Sequence, residues 1–303
     1  MQRIKTIILT YNESIHIKRC IESVRQFSSS IMLVDSFSTD NTVEIAEAMG
    51  VEVKKNNFVN YSTQFNWAIE NAGDDYDWLF RIDADEVVDN ELAANIVNQI
   101  DSLSEVIDGI LVNRWMMFMG ESIKKGGLFP VKVVRLWKKG RGKCENRWMD
   151  EHILVDGKVS ELEGKLMDNN LNGLTWWTEK HNNYASREAV DLLNIKYGFI
   201  AYDDDRLSVD SQAGKKRWLK RNVYNKLPKG LRALMYFLYR YIFALGFLDG
   251  RAGFSFHFLQ GFWYRFLVDM KVDEVEDFMH KNSASVEESI RIVLGIDVII
   301  NRQ

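Results

Sequence analysis

The first 100 residues alternate short apolar runs with segments of helical periodicity, and this alternation constrains the fold more than any other feature. Four apolar runs predict strands, at 4–10, 31–34, 51–53 and 77–82. Four segments with apolar residues three and four positions apart predict helices, at 14–27, 40–49, 63–72 and 90–100. Strands that alternate with helices form parallel βαβ units covered on both faces. We therefore predict an α/β, Rossmann-like fold with a mostly parallel sheet flanked by helices.

The pattern changes after residue 100. Three further strands are predicted, at 110–118, 131–137 and 152–155, and the chain becomes mainly helical after about residue 170. Helices are predicted there at 180–194 and 215–223. We therefore expect a catalytic domain at 1–170 and a helical C-terminal region at 171–303.

Charge is unevenly distributed in the C-terminal region. Residues 211–248 contain nine Lys or Arg, eight aromatic residues and no Asp or Glu, although the whole chain has a net charge of −4. The apolar stretch 233–248 is shorter than the roughly 20 residues that a spanning helix needs. Basic, aromatic helices suit the membrane interface, so we predict association with a membrane surface. The alternative is a buried core helix with a solvated basic flank.

Overall charge and cysteine content exclude several classes of protein. The negative net charge gives no reason to expect a nucleic-acid partner. The two cysteines, Cys20 and Cys144, are too few and too far apart for a disulfide framework or a thiolate zinc site. The N-terminus enters a strand without the apolar segment of a signal peptide. These features together predict a cytoplasmic protein.

Polar clusters follow three of the predicted strands, at 10–13, 35–40 and 83–86. The carboxyl ends of parallel strands form one ligand-binding edge, so these clusters should converge on one cleft. The acids at 83–86 would repel one another unless a cation lies between them, and hard oxygen ligands select Mg²⁺ or Mn²⁺. Asp35 could accept a hydrogen bond from a base or ribose, and Asp40 could serve only as a helix N-cap.

The residues at 8–13, 34–42 and 81–86 together resemble the motifs of family 2 glycosyltransferases in order and spacing. The resemblance implies a GT-A fold, an inverting mechanism, a nucleotide-sugar donor, and Mn²⁺ or Mg²⁺ bound by an Asp-x-Asp motif. It assigns the nucleotide-sugar site to Thr10, Tyr11, Asn12, Glu13, Asp35, Ser36, Gln64, Asp83 and Ala84. Within this set Asp35 would hold the uracil and Asp83 would approach the ribose or the metal, while Asp85 would bind the metal. Gln64 stands where many relatives carry a basic residue.

A narrower resemblance covers residues 147–152 and 177–184. These segments are similar to bacterial enzymes that build lipopolysaccharide core, O-antigen or capsule sugars, including the WaaE-like group. This likeness implies a UDP-hexose donor, a lipid-linked or cell-surface glycan acceptor, and a peripheral position on the inner face of the cytoplasmic membrane. Apolar surface on the C-terminal helices could instead serve a homodimer.

An inverting transfer also requires a base that takes the proton from the acceptor hydroxyl. The acids at 150–151 are the best candidates. If residues 148–155 are extended, Glu151 lies in an apolar row, and we favour it over Asp150 as the base. His152 is either a further metal or phosphate ligand or a structural histidine.

Acceptor contacts are predicted on aromatic and basic residues. Trp148 and Trp177 offer flat faces for sugar rings. Lys180 and His181 would meet a phosphate of a lipid-linked acceptor, or they simply face solvent.

Three other functions fit the same residues less well. A nucleotidyltransferase usually has a Gly-rich, basic loop after the first strand, and residues 11–13 contain neither Gly nor Lys. A dehydrogenase would have G-x-G-x-x-G there, which is absent. A non-catalytic membrane-surface or protein-interaction module would explain the basic aromatic segment, but not the converging acids.

Overall fold

The computed structural model describes residues 2–127, 129–145, 151–200 and 212–298. Its internal contacts divide the chain into two units. The first unit comprises the described residues within 2–124, 129–145 and 151–171, and the second comprises those within 125–127 and 172–298. Asp150 and Trp148 lie outside the described residues.

The first unit is built on four parallel strands. They are β1 (Ile4–Thr10), β2 (Ser30–Asp35), β3 (Glu52–Lys55) and β4 (Trp78–Asp83), in the spatial order β3-β2-β1-β4. The register pairs Thr10 with Asp35 and Leu9 with Asp83. The predicted polar clusters therefore follow neighbouring strands at one edge of the sheet.

Four helices cover this sheet, as the alternating pattern predicts. They are α1 (Ile17–Val24), α2 (Thr42–Ala48), α3 (Tyr61–Glu70) and α4 (Asn90–Leu103). The carboxylate of Asp89 accepts from Leu92 N at 2.8 Å and so caps the start of α4. Alternate residues of β1 face opposite cores: Ile8 packs with α1 and α4, and Ile7 packs with α3 and Trp137.

The sheet continues beyond β4 through antiparallel and parallel strands. These are β5 (Glu86–Val88), β6 (Gly109–Phe118), β7 (Glu121–Ser122), β8 (Val131–Lys138) and β11 (Val159–Asp168). The spatial order is β4-β8-β6-β11-β5, with β7 paired to β6. A separate hairpin joins β9 (Gly142–Cys144) to β10 (Ile153–Val155). In the described residues the sheet is thus mixed, and its parallel half carries the predicted motifs.

The sequence pattern does not predict four of these strands, namely β5, β7, β9 and β11. Strand β11 buries only Leu162 and Leu166 fully and is otherwise polar, so its periodicity is weak. Strand β5 begins at Glu86, the last residue of the polar cluster at 83–86. It forms because Asp168 at the end of β11 pairs with Glu86.

Gly164 marks a bulge where the β6–β11 register shifts. Its φ is +108°, and a Cβ atom there would lie 2.3 Å from the backbone nitrogen of Leu92. Only glycine allows α4 to approach β11 this closely.

The described part of the second unit is helical. Its helices are α5 (Leu174–Tyr197), α6 (Gln212–Asn222), α7 (Leu231–Leu238), α8 (Gly250–Phe256), α9 (Tyr264–Asn282) and α10 (Val286–Leu294). Helices α5, α9 and α10 share a core that includes Leu193, Val275 and Ile290. Helix α5 is longer than predicted because its first turns, before residue 180, lack an apolar period.

No single helix in the described residues is long and apolar enough to cross a membrane. One bent pair, Leu231–Phe243 with Gly246–Asn282, satisfies the length and composition requirement, with a bend of 73°.

Candidate functional site

The loops that follow β1 and β2 are joined by side-chain hydrogen bonds. Asp35 is fully buried, and its carboxylate accepts from the Ser38 backbone nitrogen at 2.9 Å and from the Thr10 hydroxyl at 3.3 Å. The Ser38 hydroxyl bonds the same carboxylate. Asp35, the predicted uracil contact, therefore holds the 36–40 loop in this structure.

Asn12 connects the same two loops from the exposed side. Its Oδ1 accepts from Thr39 N at 2.8 Å, and its own backbone nitrogen donates to Ser38 Oγ at 2.8 Å. Asn12 has a φ of 55°, a left-handed conformation that asparagine tolerates better than most residues. Beside it, Tyr11 is exposed and offers its ring to solvent.

Asp40 closes the loop at the start of α2. Its Oδ1 accepts from Thr42 N and its Oδ2 from Ser14 N, both at 3.0 Å. Burial alone would raise the pKa of Asp40, but the bonds from Thr42 and Ser14 lower it below its ordinary value. The N-cap of α2 is Asn41, so Asp40 lies one position before it and joins the loop after β1 to the start of the helix.

Gln64, one of the predicted nucleotide-sugar contacts, is buried under the ends of β2 and β3. Its amide nitrogen donates to Ser36 Oγ at 3.2 Å and to Asn56 O at 3.1 Å. Its carbonyl accepts from Asn56 Nδ2 at 2.7 Å. Gln64 thus holds the Ser36 side chain in place through a hydrogen bond.

Glu13 leads to a residue that the sequence analysis missed. Its Oε2 lies 2.5 Å from Nδ1 of the fully buried His16. The other ring nitrogen of His16 accepts from Leu171 N at 2.8 Å. This pattern assigns the Nδ1–H tautomer to His16. Glu13 and His16 therefore connect the first motif to the segment after β11.

Arginines neutralise the acids that follow β4. Arg135 on β8 lies 2.5 Å from Glu86 and 3.2 Å from Asp83. Burial opposes ionisation of Asp83, but Arg135, Arg81 and Arg114 hold its pKa well below the usual range. Burial raises the pKa of Glu86 although Arg135 opposes the shift. Repulsion between Asp83 and Glu86 is therefore offset by arginines and does not by itself require a metal ion, while metal binding by Asp85 stays a prediction.

The missed arginines had a sequence signal. Arg135 interrupts the apolar run of the predicted strand 131–137, and Arg81 lies within the third motif. A charged residue within a buried strand is rarely fully buried unless it is paired. Arg135 and Arg81 therefore each indicate an acidic side chain nearby.

Asp85 is the carboxylate that suits a divalent cation. It is half-buried, and its Oδ2 accepts from the Asn170 amide at 2.9 Å. No group of three His, Cys, Asp or Glu is placed to hold a metal in the part of the chain that the structure describes. Mg²⁺ commonly binds one or two carboxylates together with substrate phosphates. Asp85 thus fits a cation whose remaining ligands come from a diphosphate. Ala84 beside it is buried.

Glu151 lies next to this acid cluster. Its Oε1 is 3.3 Å from Arg81 Nη2, and Arg81 Nε is 3.6 Å from Asp83 Oδ1. The Glu151 side chain keeps 12% of its surface exposed, which leaves it accessible for proton transfer. His152 lies 3.1 Å from Glu145 through Nδ1, a contact expected of the structural alternative, and its role as a further ligand stays a prediction.

Comparison with known proteins identifies the family. The model of "Glycosyl transferase family 2" matches residues 6–147. An uncharacterized glycosyltransferase of Rickettsia prowazekii is 30% identical over 207 residues, which cover 64% of this chain and 69% of that protein. The chain belongs to glycosyltransferase family 2. The predicted family and GT-A fold class, with a helical C-terminal region, are confirmed.

Two further matches are less similar to this glycosyltransferase in sequence. The lipopolysaccharide core biosynthesis glycosyltransferase LpsC of Rhizobium meliloti is 26% identical, over 52% of this chain and 58% of that protein. Among solved structures, glucosyl-3-phosphoglycerate synthase from Mycobacterium tuberculosis in complex with Mn²⁺ and UDP matches with a TM-score of 0.32. It is 18% identical and covers 38% of this chain and 44% of that chain.

The first unit of the glycosyltransferase also contains a pocket of about 510 Å³ that the sequence analysis missed. Its lining is mostly apolar and carries two lysines; the residues are Trp115, Met117, Ser122, Lys124, Lys165 and Met167. The Lys165 ammonium lies 5.8 Å from the centre of the Trp115 ring. Met167 pairs with Trp115 and precedes Asp168, the partner of Glu86. The pocket thus adjoins the strand pair beside the acid cluster.

The other predicted acceptor residues lie on α5 of the second unit. Trp177 stacks on His181 with ring centroids 3.5 Å apart, and His181 Nδ1 lies 2.8 Å from Trp177 O. Burial lowers the pKa of His181 to about 4, so the ring is neutral at pH 7. Lys180 lies 4.5 Å from the centre of the Trp176 ring.

Proposed function

We propose that this glycosyltransferase is an inverting, metal-dependent enzyme that moves a hexose from a nucleotide sugar, with UDP as the nucleotide. One observation carries the proposal. The segments after β1 and β2 are bonded to each other, Asp83 pairs with β1, and Glu151 reaches Asp83 through Arg81. This arrangement supports a donor site and a base within one unit.

In this proposal the site residues of the first unit have the following roles. Residues 10–13 and 35–36 border the nucleotide, and Asp85 binds the cation with the diphosphate. The cation, when bound, offsets the negative charge that grows on the leaving diphosphate. Glu151 accepts the proton of the attacking hydroxyl. Arg81 fixes the Glu151 carboxylate, and Arg135 fixes Asp83.

The proposed acceptor is a lipid-linked or cell-surface glycan. The likeness to LpsC, a lipopolysaccharide core enzyme by name, supports this class. The pocket beside β6 and β11 adds an indole face suited to a sugar ring and two lysines suited to an anionic group. Trp177, Lys180 and His181 remain acceptor predictions. The enzyme would work at the cytoplasmic face of the membrane, where an acceptor of this kind is held.

Family membership favours this proposal over both alternatives from the sequence, the nucleotidyltransferase and the non-catalytic module. The experiment is a donor screen with purified full-length chain. UDP-, GDP- and dTDP-hexoses are incubated with Mn²⁺ or Mg²⁺, and nucleoside diphosphate release is measured.

We expect release of UDP from one sugar, its loss in EDTA, and a product whose anomeric configuration is inverted in early NMR spectra. Release from no donor, together with no binding of UDP, would contradict the donor class. A retained configuration would contradict the inverting mechanism, and activity in EDTA would contradict metal dependence.

A further inference from the structure

Residues 231–270, which form most of the bent pair in the second unit, expose many large apolar side chains. We call this segment the elbow hairpin. In the described residues, 14 of the 29 exposed large apolar side chains belong to it. They are Leu231, Leu234, Met235, Leu238, Tyr239, Ile242, Phe243, Leu245, Phe247, Leu248, Phe254, Phe258, Phe266 and Met270. Soluble monomers rarely expose contiguous apolar patches of this kind without a binding role.

Among the charged residues of the elbow hairpin, only Arg251 is exposed. Arg240, the only charged residue between 233 and 248, is fully buried, and so is His257. Arg240 donates to Gln260, and its guanidinium carbon lies 5.4 Å from the ring centres of Tyr236 and Phe256. This arrangement is the reverse of a water-facing helix, whose charges lie on the solvent side.

Aromatic contacts hold the two limbs of the elbow hairpin together. Phe237 lies edge-on to Phe258 with centroids 5.9 Å apart, and Tyr241 meets Phe254 at 5.5 Å. At the turn, Gly246 faces His257 so closely that a Cβ atom would lie 2.6 Å from the imidazole. The bend is therefore packed from inside, and its outer face is left for a partner.

The length of the first limb limits how deeply it can insert into a bilayer. Leu231–Phe243 has 13 residues, which at about 1.5 Å per residue gives roughly 20 Å. A bilayer core is about 30 Å thick, so the limb reaches into it without crossing it. The chain then turns by 73° and returns.

The flanking charges favour an anionic lipid leaflet as the occupant. Lys215 and Lys226, which precede the elbow hairpin in the chain, are exposed. Exposed Trp218 and Leu219 lie on the same basic helix as Lys215. A second copy of the chain in a two-fold dimer would bring this basic flank against itself. Acidic head groups above an apolar interior match both parts of the surface.

We propose that the elbow hairpin is a re-entrant anchor that inserts its exposed apolar face into one leaflet of an anionic bilayer. This inference rests on the proposed membrane-surface location and adds hydrophobic insertion to it. Its failure would leave the catalytic proposal untouched, because donor hydrolysis is measured without vesicles.

The test is flotation of the full chain with phosphatidylcholine:phosphatidylglycerol vesicles at 0.1 M and 1 M NaCl. Charge contacts alone are screened at high salt, whereas inserted side chains stay bound. We expect the chain to float at both salt concentrations. Phe243→Glu with Leu248→Glu should lower vesicle binding at least about tenfold. Val106→Glu, at an exposed position of the first unit, is the matched control and should float normally.

Retained UDP-sugar hydrolysis or UDP binding shows that the double variant is folded. Release of the wild-type chain at 1 M NaCl would overturn insertion in favour of surface adsorption. A chain that does not float, and whose dimer is dissociated by Phe243→Glu in analytical ultracentrifugation, would overturn it in favour of a second copy.

Discussion

Glu151 and Arg81 form a hydrogen-bonded ion pair, with Oε1 3.3 Å from Nη2. Arg81 lies on β4, two residues before Asp83, and also faces the Asp83 carboxylate. The pair therefore connects the proposed base to the strand that carries the Asp-x-Asp motif. A base held in this way keeps a fixed position relative to a bound donor.

Glu151→Gln should remove the base and keep its shape. General-base catalysis contributes roughly 10²–10⁴-fold, so kcat should fall by that factor while the KM for the donor changes little. Steady-state kinetics with varied donor measures both. Asp150→Asn, assayed beside it, is the comparison. A full loss in Asp150→Asn with an active Glu151→Gln would transfer the role to Asp150.

Arg135→Met should destabilise the first unit, because it removes the nearest cation of the buried Glu86 and leaves only the more distant Arg114. Removal of one partner of a buried ion pair typically costs about 3–5 kcal/mol. Urea unfolding gives the free energy of unfolding. Adding Glu86→Gln to Arg135→Met removes the buried carboxyl group that has lost its nearest cation, and should recover part of the loss. Equal stability of Arg135→Met and wild type would show that this pair is dispensable.

Gly164→Ala should also destabilise the fold. The new Cβ would lie 2.3 Å from Leu92 N at a residue whose φ is +108°. Overpacking of this kind costs about 1–3 kcal/mol, and the left-handed φ adds to the cost. Gly173→Ala is the control, since a Cβ there meets nothing within 4 Å. Thermal unfolding of the two variants compares them, and similar midpoints would contradict the close approach of α4 to β11.

The lowered pKa of Asp40 predicts that the free energy of unfolding depends on pH. Its pKa in the folded protein is lowered, so its contribution is present above the unfolded value of about 3.9 and is lost as the pH falls through the folded value. The difference in free energy of unfolding between wild type and Asp40→Asn should therefore shrink from pH 6 to pH 3. A constant difference over this range would mean that the hydrogen bonds of Asp40 do not depend on its charge.

The alternating half of the sheet follows from local sequence, whereas the other half does not. Strands β1 to β4 are apolar runs between amphipathic helices, and each lies within a few residues of its predicted position. Strand β11 is polar along most of its length and is held by pairing with β6 and β5. Such pairing depends on residues more than 40 positions away, which a local period does not contain.

The candidate site likewise has features that local sequence predicts and features that depend on distant residues. The motifs indicated which segments meet, because strand ends in a parallel sheet share an edge. They did not indicate that Arg135 and Arg114 neutralise the acids, since both come from strands added beyond β4. Nor did they reveal His16, whose bond to Leu171 spans 155 residues.

The most direct test of the donor site is calorimetric titration of UDP into the full chain with Mn²⁺. Wild type should bind UDP, with binding reduced at least about tenfold by EDTA and by Asp85→Asn, because the cation links Asp85 to the diphosphate. Asp75→Asn, at an exposed carboxylate of the same unit, should bind as wild type does. Equal affinity for UDP in wild type and Asp85→Asn, with or without Mn²⁺, would contradict the proposed role of Asp85 and the metal.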